Sequence, residues 1–80
     1  MMSKIERPAA VYRCYDDFGH LLYVGTTNSL MRFFTHDRGS PWFSQVAGIN
    51  VTHYKTRLLA LKEETRAIIK EHPIYNLKRR

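Results

Sequence analysis

Cys14 is the only cysteine, so no intramolecular disulfide can form, and a reducing compartment fits the chain. Nothing in it approaches the roughly 20 apolar residues that a membrane-spanning helix requires. The first ten residues, with Lys4, Glu6, Arg7 and Pro8 among them, hold no apolar run of the kind a signal peptide carries. A soluble, cytoplasmic protein with no membrane partner is therefore expected. Internal repeats and low-complexity segments are missing. His20, His53 and His72 have no metal-ligand spacing with Cys14, which argues against zinc. Acidic residues are scarce: seven Asp and Glu stand against thirteen Lys and Arg, a net charge of +6. That balance favours a polyanionic partner such as nucleic acid, with a merely solubilising surface as the plain alternative.

What is present suits one small domain. Eighty residues give a core near the lower limit for independent stability, and an apolar share of 44% is ordinary for a folded protein. Residues 1–8 read as an irregular lead-in. Val11 to Tyr15 and Leu21 to Val24, rich in β-branched and aromatic residues, read as strands. Between them Asp16-Asp17-Phe18-Gly19 supplies turn chemistry, with Gly19 able to take a positive φ. Pairing Tyr15 with His20 would set Tyr12 opposite Tyr23 and turn both phenols to one face. A slip of one residue would separate them. Such a tyrosine pair is, by itself, more often a packing pair than a catalytic one.

Asn28 or Ser29 is placed to cap a helix over 30–36, buried through Leu30, Phe33 and Phe34. Arg32 and His36 share one face of it, four positions apart. Residues 37–41 break this helix, and 42–47 read as a second short helix packing Trp42, Phe43 and Val46. Residues 49–54 read as a third strand. Thr56 is the expected N-cap of the longest helix, 57–71, which ends before Pro73 and carries Leu58, Leu61 and Ile68 at helical spacing.

On that helix the neighbours of Glu64 at three and four positions are Ala60, Leu61, Ala67 and Ile68, all apolar. A carboxylate on such a stripe is costly unless a cation, donors or a metal meet it, although a stripe-edge glutamate can also reach water. Glu63 has a mixed set of neighbours. Lys62, Arg66 and Lys70 recur every four residues as a basic stripe. With Lys78, Arg79 and Arg80 that stripe is a candidate path for a phosphate backbone, and otherwise a solvated helix face.

Taken together, Ala10-Val11-Tyr12, Tyr23-Val24-Gly25, Arg32, His36, the Ala60–Ile68 helix with Glu64, and Pro73-Ile74-Tyr75-Asn76 resemble the GIY-YIG nuclease superfamily. No one of these motifs is specific, but six of them stand in family order over residues 9–77. The first keeps only the tyrosine of its name, and Thr26 stands where some relatives carry a lysine or tyrosine. The segment from Gly25 to Arg32 is about one residue shorter than in several relatives. The resemblance implies an α+β (α/β) fold, a three-stranded antiparallel sheet flanked by helices, forming a single nuclease domain over 1–80 with a basic tail at 78–80. It also implies a divalent-metal-dependent endonuclease acting on DNA with magnesium (or manganese). Glu64 would bind the metal, Arg32 would hold the phosphate, Tyr12 or His36 would activate water, Tyr23 would position water or phosphate, and Asn76 would order the site. Relatives commonly attach the catalytic unit to a DNA-reading domain. No such unit is expected here, so a homodimer or a separate targeting protein is the expected source of site selection. Two rivals stand beside this reading: a non-cleaving nucleic-acid-binding module on the same fold, and a basic protein-interaction domain.

Overall fold

The computed structural model describes residues 6–76, apart from the side chain of His36. The strands are β1 (Ala9–Tyr15), β2 (Leu21–Thr27) and β3 (Gly48–Tyr54), and the helices are α1 (Leu30–Asp37) and α2 (Arg57–Glu71). A 3₁₀ turn, Phe43–Gln45, replaces the second short helix expected over 42–47. All strand pairs are antiparallel, in the spatial order β2-β1-β3. The α+β architecture expected from the sequence is the one observed.

The hairpin register corrects one expectation. Tyr12 pairs with Gly25, not Tyr23, and Tyr23 pairs with Cys14. The loop accounts for one residue of the shift. Asp16 Oδ1 accepts from the N–H groups of both Phe18 and His20 at 2.9 Å, which holds His20 in the loop, and Tyr15 pairs with Leu21 instead. Gly19 takes the positive φ this turn needs, +82°. A bulge between Cys14 and Tyr15 supplies the second residue. Two slips restore the parity that one would have broken, so both phenols still share a face, with ring centroids 6.2 Å apart.

Two apolar clusters sandwich the sheet. On one face Ala9, Val11 and Val24 pack against Ala60 and Ala67 of α2. These two alanines are fully buried, and their lack of bulk lets the helix lie close to the strands. On the other, Tyr12, Cys14, Leu22, Phe33 and Trp42 gather with half-buried Tyr23, Phe43 and Val51. Among the described side chains of α1 only Phe33 is buried; Leu30 and Phe34 stay 39% and 49% exposed, contrary to the expected stripe. On α2, Leu58 is exposed while Leu61 and Ile68 are half-buried, so the inward stripe runs through the alanines.

Local signals explain the ends of α2. The Thr56 hydroxyl accepts from Leu59 N–H at 3.2 Å, a cap worth about 1 kcal/mol. His72 closes the helix in the left-handed region, φ 52°, and buried Pro73 follows. The chain then zips onto the outer edge of β2. Ile74 and Tyr75 N–H groups donate to the carbonyls of Leu21 and Leu22, and buried Asn76 both donates to and accepts from the Val24 backbone, at 2.9 and 2.7 Å. Among the described residues no helix is long and apolar enough to cross a membrane.

Candidate functional site

Past Val24, where Asn76 is tied, a cleft of about 310 Å³ opens at the end of β2. Tyr12 and Asp37 stand together in its wall, with Arg32 and Phe33 from α1. Thr26, Thr27 and Asn28 contribute from the end of β2 and the loop that follows. Arg7 enters from the lead-in and Arg57 from the first turn of α2.

Tyr12 reaches the cleft because Gly25 lies beneath its ring. A Cβ at Gly25 would sit 2.4 Å from the Tyr12 Cζ and hydroxyl oxygen, so the glycine is required by close approach rather than by a positive φ. Phe33 holds the ring from above, centroids 4.4 Å apart. The phenol donates to Asp37 Oδ2 at 2.6 Å, a short charge-assisted bond across 25 residues of sequence. Burial, followed by the Asp37 hydrogen bond and charge, pushes the phenol well above its ordinary pKa. A phenol acting as a free base would need neighbouring cations to lower it; here burial and Asp37 raise it, and Tyr12 stands in this structure as a neutral donor.

The other expected site residues are distributed differently. Arg32 lines the cleft with Tyr12. Tyr23 does not; it stacks on buried Trp42 at 4.6 Å and 12°, which makes both rings part of the core rather than a stacking platform for bases. Asn76 is structural in its contacts, tied to Val24. Glu64 is half-buried on the inward stripe of α2, as its neighbours indicated, and it does not line the cleft. It lies seven residues beyond Arg57, roughly 10 Å along the helix at 1.5 Å per residue. The side chain of His36, and Lys78, Arg79 and Arg80, lie outside the described residues.

The basic stripe of α2 is interrupted. Arg66 donates to both carboxylate oxygens of Glu63, at 2.7 and 2.5 Å, and lies 3.5 Å from Glu71. Arg13, from β1, bonds Glu63 and Glu71 as well, each at 2.9 Å. The hydrogen bonds from Arg66 and then Arg13 bring Glu63 down to about 2, and Arg13 lowers Glu71 too. Lys62 and Lys70 remain exposed on either side. Arg7, Arg32 and Arg57, in contrast, form no ion pair among the described residues and converge on the cleft.

Sequence reasoning missed Arg7, Arg57, Asp37 and the roles of Thr26–Asn28. Asp37 had a weak signal, lying one residue beyond His36. Arg7 and Arg57 had none, because only the fold brings the lead-in and the start of α2 to the same edge. Cys14 is free and fully buried, its thiol pushed up to about 12 by burial. Among the described residues no group of three or more His, Cys, Asp or Glu side chains could hold a metal. No protein-family model matches the chain, and no curated protein matches it.

Proposed function

We propose that this cleft hydrolyses nucleic-acid phosphodiester bonds, as a GIY-YIG-type endonuclease acting on DNA in the cytoplasm. The observation that carries the reading is the meeting, in one cleft, of the Tyr12–Asp37 pair with three arginines that form no ion pair among the described residues. Guanidinium groups from separate elements suit the non-bridging oxygens of a phosphodiester. Arg32 stabilises negative charge as it shifts in the transition state. The water that attacks phosphorus gives a proton to the Tyr12 oxygen as Tyr12 passes its own to Asp37, while the P–O bond to the 3′ oxygen breaks and the departing alkoxide takes a proton from solvent water. The phenol thus relays without standing as a free phenolate, which its raised pKa forbids at neutral pH. His36, a turn beyond Arg32, is the second candidate for water activation, and Tyr23 supports the ring of Tyr12 from the core.

Magnesium or manganese enters this proposal through Glu64. A carboxylate oxygen suits a hard ion that takes its remaining ligands from phosphate and water, and a bound ion would supply Lewis-acid polarisation of the phosphate. Because Glu64 stands off the cleft, none of the steps above runs through the ion. The surface path for DNA beyond the cleft would use Lys62 and Lys70, and Arg66 only if it leaves Glu63.

A second reading, a nucleic-acid-binding module that does not cut, is favoured by one feature: Glu64 and the cleft are apart. Single-turnover cleavage of a labelled duplex separates the two. Arg32→Ala and Asp37→Asn should each slow cleavage by at least about 10²-fold, the loss typical of one preorganised charge-stabilising group. Tight binding with no cleavage by the wild type would leave the binding module.

A further inference from the structure

Resting on the phosphodiester reading above, we propose that Arg7 and Arg57 form a second phosphate subsite, so that the cleft takes two consecutive phosphates of one strand. The charge count in the wall supports this. Among the described residues three guanidinium groups and one carboxylate, Asp37, line the cleft, a net charge of +2. One phosphodiester carries a single negative charge, so a single phosphate leaves this wall under-neutralised, and two match it. Asp37 gives Oδ2 to Tyr12 and forms no ion pair with the arginines among the described residues.

The positions divide in the same way. Arg32 and Asp37 come from α1, with Asp37 bonded to Tyr12 of β1, whereas Arg57 opens α2, where the helix N-terminus adds positive potential. The β2 edge also points its backbone there. Val24 turns its N–H and C=O outward to Asn76, and strand alternation turns the Thr26 N–H to the same outer edge, two residues on. In the cleft wall the Thr26 hydroxyl is enclosed and has no partner among the described residues, a cost that a phosphate oxygen would relieve after a side-chain rotation. A volume of about 310 Å³ lies at the low end for ligand sites and gives room for one nucleotide unit with its flanking phosphates.

The test is a titration of the full chain, in chelator, with the thymidine dinucleotide TpT and trinucleotide TpTpT, followed by amide NMR shifts. The trinucleotide, with its second phosphate, should bind about 10-fold tighter, as one added charge-assisted pair gives. Arg57→Gln and Arg7→Gln should each cut that advantage to below about 3-fold, while exposed Lys55→Gln, outside the cleft, should preserve it. Arg7 precedes β1 on an exposed segment, so its variant tests the subsite without touching the core. Equal affinity for the two ligands, or an advantage that survives both arginine variants, overturns the subsite. Cleavage is read separately. An intact trinucleotide advantage in a protein that never cuts removes the nuclease reading alone, and cutting without that advantage removes the subsite alone.

Discussion

Gly25→Ala tests how the cleft is built. The added methyl would lie 2.4 Å from two atoms of the Tyr12 ring and hydroxyl and 2.9 Å from a third, against ordinary contact at 3.4 Å and beyond. The shortfall is 1.0 Å (3.4 − 2.4), and the neighbour is a buried ring held by Phe33 and Asp37, not a mobile chain end. The ring has to leave its place and the Tyr12–Asp37 bond has to break. Overpacking costs about 1–3 kcal/mol, and loss of a hydrogen bond to a charged group about 1.5–3 kcal/mol. The reduced freedom of the unfolded chain returns about 0.4–1 kcal/mol. The expected net loss is about 1.5–5.5 kcal/mol, a large share of the stability of a domain this size and roughly 6–40 °C in Tm. Urea unfolding followed by far-ultraviolet circular dichroism measures it. In a Tyr12→Leu background, whose side chain is too short to reach the new methyl, Gly25→Ala should be neutral or slightly stabilising. An equal loss in both backgrounds would refute the argument, because the methyl would then be clashing with something other than Tyr12.

Three further outcomes follow from the contacts. Asn76→Ala removes both bonds to the Val24 backbone in a buried site and should cost about 2–4 kcal/mol by chemical denaturation, whereas a loss below about 1 kcal/mol would show that the tail does not hold β2. Arginine partners hold Glu63 and Glu71 below the ordinary carboxylate range, so the stabilisation from Glu63 is present above pH 4.5 and is lost as pH falls toward about 2, with Glu71 acting in the same direction. Glu63→Gln should flatten that acid limb of a stability–pH curve, and an unchanged limb would contradict the Arg13–Glu63–Arg66 network. Cys14, buried and with its thiol pushed up to about 12, should react with a disulfide reagent at neutral pH only as fast as the fold opens. Immediate reaction in native buffer would contradict its burial.

The element order was legible because each element carried its own local signal: β-branched and aromatic runs, the Thr56 cap, the Pro73 stop. The face shared by Tyr12 and Tyr23 was legible as well, although the pairing was not. An Asp16-built loop and a bulge each moved the register by one residue, and neither leaves a mark in hydrophobic alternation. Tyr12 and Arg32 line a common cleft, while Tyr23 stacks in the core on Trp42, which the sequence had already placed there. Glu63 looked like the neutral neighbour of Glu64, and only the approach of Arg13 from β1 revealed it as the centre of an ion-pair network. The charged cleft was hidden for the same reason. Arg7, Arg32 and Arg57 are spread over 50 residues, and no local pattern joins them.

The central claim is that this cleft cuts nucleic acid, and supercoiled plasmid measures that directly. Purified wild-type chain with magnesium should convert the supercoiled form to nicked or linear DNA. Arg32→Ala, equally folded by circular dichroism, should do so at least about 10²-fold more slowly. No conversion by the folded wild type, or equal conversion by Arg32→Ala, would contradict the account.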